Sequence, residues 1–107
     1  MDHFIHVPAR VAFSAEKMKK VGLVDTPNLF CDVYCFAPGQ AQTPHTHALG
    51  DKLYYVLSGH GVARVDAEER DVGPGDLVCA PAGAEHGLHN PGEERLVVLV
   101  VMAPKPS

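Results

Sequence analysis

His45 and His47 stand two residues apart in the stretch PHTHALGDKLYYVLSG (44–59), and a third histidine, His86, follows a turn signal later in the chain. On a strand, successive side chains alternate between faces, so both imidazoles of an HxH project the same way and can converge on one ion. Three neutral imidazoles meeting at one point suit Zn²⁺, Fe²⁺, Mn²⁺, Ni²⁺ or Cu²⁺ and suit Ca²⁺ or Mg²⁺ poorly. Unrelated surface histidines also produce this spacing, so spacing alone leaves both readings open. Lys52 complicates the metal reading. An ammonium about 5 Å from a divalent ion is repelled by roughly 6–7 kcal/mol at an effective dielectric near 20. Such a lysine must lose its proton, swing away, or share the pocket with an anion that offsets both charges. Alternatively its stem lies along the surface and its head pairs in solvent with Asp51 or Glu85. Tyr54 shares the phase of Lys52 and can offer a hydroxyl to a ligand, although an aromatic on such a strand is more often core.

These side chains need strands to carry them, and the chain supplies the pattern. Pro38-Gly39, Pro74-Gly75 and Pro91-Gly92 each read as type II turns, with Pro81-Ala82-Gly83 a further turn candidate. Between them lie β-like runs at 29–37, 52–58, 62–72, 76–80, 85–90 and 95–103. A tip at Asp66-Ala67-Glu68 divides 62–72 into a hairpin. Strands at this spacing, with no long helical period between them, predict an all-β sandwich or barrel. The one helical candidate is SAEKMKK (14–20), with Ser14 as N-cap. LYYVL and LVVLVV are apolar at consecutive positions, which predicts cover on both faces. The N-terminal segment (1–28) is one candidate cover for the barrel (29–104), and a second subunit in a homodimer is the other.

The 107 residues make one domain, 46% apolar and 21% charged, the balance of an ordinary globular protein. A net charge of −4 without a basic stripe excludes a nucleic-acid surface; Lys17, Lys19 and Lys20 read as a solvated face. The opening MDHFIHVPAR has no leader pattern, and the longest apolar run is too short for a membrane span, so the expected location is the cytoplasm. Three cysteines then stay reduced and read as small buried hydrophobes. Gln40 and Gln42 are expected at the barrel mouth, His60 and His89 outside, and Asn90 holding the turn before Pro91.

GQAQTPHTHALGDKLYYVLSG resembles the first motif of the cupin family, with Gly39, His45, His47 and Gly59 in place. GDLVCAPAGAEHGLHN resembles the second in full, with Gly75, Pro81, Gly83, His86 and Asn90 at the family spacings. The resemblance spans 38–90 and implies an all-β, single-domain jelly-roll β-barrel with a central pocket. In the family that pocket usually holds a metal on three histidines and one glutamate. Here the glutamate position is Lys52, with Asp51 one place earlier. A β-bulge near Gly50 would turn Asp51 inward and restore a carboxylate ligand; otherwise Lys52 occupies the pocket and the metal has only His45, His47 and His86. The resemblance thus implies a divalent transition metal (Fe, Mn, Zn or Ni) and a small polar or anionic organic ligand. Lys52, Asp51 and Tyr54 would be its catalytic candidates. Dioxygenase-like or Lewis-acid chemistry is one expectation, and a non-catalytic binding module is the other.

Overall fold

In the computed structural model, which describes residues 2–106, a single 3₁₀ turn (Val7–Arg10) precedes nine strands. They are β1 (Lys19–Asp25), β2 (Phe30–Phe36), β3 (Ala41–Thr46), β4 (Asp51–Ser58), β5 (Gly61–Val65), β6 (Glu68–Val72), β7 (Leu77–Ala80), β8 (Glu85–His89) and β9 (Leu96–Ala103). They form a five-stranded sheet in the order β1-β2-β9-β4-β7 and a four-stranded sheet in the order β3-β8-β5-β6. Every pairing is antiparallel.

The two sheets bury their facing sides against each other. Tyr34 and Phe36 of β2, Tyr54 and Val56 of β4, and Leu96, Val98 and Val100 of β9 meet Ala63, Val72 and Leu88 of the smaller sheet. On β4 burial alternates strictly: Lys52, Tyr54 and Val56 point inward, while Leu53, Tyr55 and Leu57 are 36–42% exposed outside. The outer face of the larger sheet is covered over β2 and β9, where Val33, Cys35 and Val97 pack under Val7, Val11 and Phe13 of the N-terminal segment. Beyond that cover Leu53, Tyr55, Leu57 and Leu77 face outward. The consecutive apolar runs are therefore covered on both faces only in part.

Three sequence expectations are corrected. The helix over 14–20 does not form: Ser14 Oγ accepts a bond from Glu16 N in a local bend (3.3 Å), and Lys19 and Lys20 already belong to β1. Pairing with β2 outweighs a short helical preference that has no apolar face to bury. Gly39 and Gly75 take positive φ as turn glycines, but Gly92 does not. There Asn90 makes the turn, its Nδ2 donating to the carbonyls of Phe36 and Glu94 and its Oδ1 accepting from Gly92 N. Finally, of the three free cysteines only Cys35 is buried; Cys31 is half-buried and Cys79 exposed on the open outer face.

The hairpin tip falls where the sequence places it, with Asp66 at φ +51. It docks on the start of β8: Asp66 N donates to Glu85 O (2.7 Å) and Asp66 Oδ1 accepts from Glu85 N (3.0 Å). Arg64 holds the Glu85 carboxylate on the outside at 2.9 Å. The residue after Glu85 is His86, so this clasp fixes the strand end that carries a candidate ligand.

Candidate metal centre

His45 and His86 face each other directly in the β3–β8 register. That register slips between Gln42 and His45, at Pro44, which has no N–H to give a ladder. The slip has a geometric consequence. Residues three apart on a regular strand point to opposite faces, yet Gln42 and His45 both line the same cavity. Gly87 makes room for the irregular strand, since a Cβ there would stand 3.0 Å from the Gln42 carbonyl oxygen and from the Pro44 ring. His47 lies just past the end of β3, its carbonyl accepting from Gly83 N at 2.8 Å, so the turn before β8 anchors it beside His86.

One ligand nitrogen from each of His45, His47 and His86 lies within 4.8 Å of the others. Bonds of about 2.1 Å to one ion place such nitrogens roughly 3.0–3.4 Å apart, at right-angle or tetrahedral geometry, so side-chain adjustments of about an ångström each close the set. The hydrogen bonds already select the donor atoms. His45 Nδ1 lies 3.0 Å from Thr43 O, and His86 Nδ1 lies 3.0 Å from Ala84 O. A carbonyl can only accept, so both Nδ1 atoms carry the proton and both Nε2 lone pairs stay free. His86 Nε2 is buried and has no partner among the described residues, the unmet need that a metal would fill. Burial lowers the pKa of His86 and of His47; the bond to Ala84 O opposes this at His86, and proximity to His45 and Lys52 lowers both further. Both shifts favour the neutral ring that a metal needs. The donor set fits a divalent transition metal.

Lys52 occupies the glutamate position, and it points inward. It is 2% exposed, with its Nζ 5.1 Å from the Tyr34 ring centroid and 5.4 Å from that of Tyr54. Burial, then the nearby Lys20, pushes its pKa down to about 8, against an opposing pull from Asp32. It does not reach solvent and pairs with neither Asp51 nor Glu85. Asp51 points outward, where its Oδ1 accepts from Ala82 N at 3.0 Å. β4 keeps a regular register through Asp51–Val56 and is irregular only between Val56 and Ser58, so no bulge turns the Asp51 carboxylate into the site.

Tyr54 donates its hydroxyl to Gln42 Oε1 at 2.7 Å. That leaves Gln42 Nε2 as a buried donor without a partner among the described residues. Tyr34 packs edge-on against Tyr54 at 6.3 Å, and burial raises both phenol pKa values beyond physiological reach. An open cavity of about 1020 Å³ lies in front of these groups, with Tyr54 and His86 behind its wall. Its wall includes His45, His47, Lys52, Gln42 and Tyr34, with Lys17, Lys19 and Lys20 around it.

Gln42 thus stands where a mouth residue was expected. Gln40 does not: it accepts from Ala37 N and donates to Ser14 O, tying the N-terminal segment to a turn. His60 is exposed, and His89 is half-buried away from this cavity. Sequence reasoning missed Tyr34, whose phase with Phe36 in β2 would have marked it as inward. It also missed the lysine trio, which is solvated as expected but surrounds the cavity.

Similarity to known proteins agrees with this arrangement. A family model described as the cupin domain matches residues 32–102. The crystal structure of the TT1209 protein of Thermus thermophilus superposes with a TM-score of 0.95 at 38% identity, covering 98% of this chain and 100% of that one. An uncharacterized protein of Streptomyces coelicolor is 35% identical over 80 residues, 75% of this chain and 74% of the relative. An acireductone dioxygenase of Rhodopseudomonas palustris is 39% identical over 56 residues, 49% of this chain and 33% of its own length.

Proposed function

The chain belongs to the cupin domain family, and on that premise we propose that it is a metal-binding cupin acting on a small polar or anionic organic molecule. The observation that carries this reading is the convergence of His45, His47 and His86 with the ligand nitrogens within 4.8 Å. The metal is a divalent transition ion (Fe, Mn, Zn or Ni), held by His45 and His86 through Nε2 and by His47. Such an ion supplies Lewis-acid polarisation, or dioxygen activation where it is redox-active. The similarity to an acireductone dioxygenase supports the second possibility over the shared segment. The chain's own residues do the rest. Lys52 brings positive charge to the substrate, Tyr54 fixes Gln42 by its hydroxyl, and Gln42 offers an amide donor to the cavity. Asp51, hydrogen-bonded outside, takes no part in this reading.

A second reading is favoured by Lys52 itself: with a cation where the family places an anionic ligand, the barrel captures its small molecule without turning it over. We also assign a homodimer through the outer face carrying Leu53, Tyr55, Leu57 and Leu77, and a cytoplasmic location in keeping with three free thiols. Among the described residues no helix is long and apolar enough to cross a membrane.

Metal content of untagged protein, followed by titration of metal-stripped protein with Fe²⁺, Mn²⁺, Zn²⁺ and Ni²⁺, tests the main reading. Near-stoichiometric binding that His47→Ala abolishes supports it, and no binding of any of the four ions defeats it. Turnover of small organic acids or diketones by the loaded protein separates the enzyme from the binder. Sedimentation of Leu77→Lys against the parent chain tests the dimer.

A further inference from the structure

The cavity wall is unbalanced in charge. Lys17, Lys19, Lys20 and Lys52 line it together with His45 and His47, and no carboxylate does. Of the nearby acids, Asp51 accepts from Ala82 N and Glu85 pairs with Arg64. Asp32, half-buried on β2 in phase with Tyr34, attracts Lys20 and Lys52 but from beyond ion-pair range. None of the three is within 4.0 Å of a lysine among the described residues.

The buried polar groups are unbalanced in the same sense. Gln42 Nε2 is a donor with no acceptor, on a side chain 6% exposed. With the Tyr54 hydroxyl donating to Oε1, Nε2 is the amide atom left for a ligand. The Lys52 ammonium rests over two aromatic faces, at 2% exposure, with no carboxylate within 4.0 Å among the described residues and only the more distant Asp32 attracting it. Buried donors are ordinarily paired, and a buried cation more stringently so. Two unpaired donors, one of them charged, call for an anionic acceptor. The remaining wall, with Met18, Phe30 and Tyr34, is apolar and suits a carbon skeleton.

We propose that Lys52 and Gln42 bind the carboxylate of a small, partly apolar organic acid beside the three histidines, and that this carboxylate supplies the negative charge the family draws from its glutamate, so that metal and carboxylate bind cooperatively. The proposal rests on the metal reading above. Without the carboxylate, Lys52 opposes a divalent ion; with it, both cations share one counter-charge. By thermodynamic linkage each ligand then tightens the other by the same factor.

Titrating the metal-stripped full chain with Co²⁺ tests this, the ion being followed by its visible absorption with and without benzoate at constant ionic strength. Benzoate chelates metals weakly, so it does not withdraw the ion. Benzoate should tighten Co²⁺ binding at least about tenfold, and Co²⁺ should tighten benzoate binding by the same factor. Lys52→Glu, which places a carboxylate on the protein, should bind Co²⁺ tightly alone and lose the benzoate effect. Lys52→Met should keep Co²⁺ binding and reduce the coupling to about twofold or less.

Equal Co²⁺ affinity with and without benzoate in the parent chain overturns the coupling and leaves the metal reading standing. No Co²⁺ binding in either condition overturns both. Equal coupling by inorganic phosphate overturns the assignment to carboxylates. All three of these outcomes are read on the parent chain, so none depends on a variant folding.

Discussion

Lys52 and Val56 lie four residues apart on β4 and point into the same barrel, yet their surroundings have little in common. Val56 belongs to a dry cluster with Phe36, Leu96 and Val98, the last three fully buried and all four without a polar atom beyond the backbone. Lys52 faces a cavity shared with His45, His47, Gln42 and Tyr34. In one half, buried apolar area and close packing stabilise the fold. In the other, a buried ammonium, an orphaned amide donor and an orphaned imidazole nitrogen cost stability. A barrel that keeps such groups at one end has separated the region that holds it together from the region that meets a ligand.

Cutting into the dry half should give the largest effect. Phe36→Ala is expected to cost about 3–5 kcal/mol in urea unfolding, with metal affinity per folded molecule unchanged. A parallel loss of metal affinity would mean that the halves are coupled. His86→Ala should do the reverse, weakening metal binding about a hundredfold or more, or about 2.7 kcal/mol, with little change in the stability of the metal-free chain.

Lys52→Met sharpens the comparison by making the wet half resemble the dry one. Its lysine has a pKa lowered to about 8 from the ordinary value of 10.5. Below pH 8 the folded and unfolded chains both hold the proton, and the folded chain bears the full cost of the buried ammonium. Between pH 8 and 10.5 the folded chain releases the proton first, so its stability rises with pH; above 10.5 the cost is gone. Lys52→Met should therefore stabilise the metal-free protein by about 1–3 kcal/mol at pH 7. That gap should narrow by about pH 9.5 in paired urea titrations, and a gap independent of pH would mean that the ammonium is not what destabilises this end.

The smallest effect belongs to the neighbouring residue. Asp51→Ala removes one exposed hydrogen bond to Ala82 and should cost about 0.5–1 kcal/mol, leaving metal affinity within about twofold.

The strand pattern was legible because turn residues and alternation are local. Asp66, Gly39 and Gly75 mark their turns by backbone chemistry that no distant contact has to supply. β1 was not legible: KKVGLVD becomes a strand because β2 offers it a ladder, and nothing within 14–20 announces that partner. The three histidines were legible as a set from their spacing and the two motifs. Gln42 was only half legible, since its place beside them depends on the register slip at Pro44.

By itself the sequence determined the alternation along 51–58, and therefore that residues 51 and 52 face opposite ways. It could not say which of them faces in, because Leu53, Tyr55 and Leu57 are as apolar as Tyr54 and Val56 and either set could serve as core. Only the packing of the second sheet chose the face with Lys52, Tyr54 and Val56 and left the other outside. A strand's own chemistry sets its period, but burial is a property of what lies opposite, and that is assembled from residues far away in the chain.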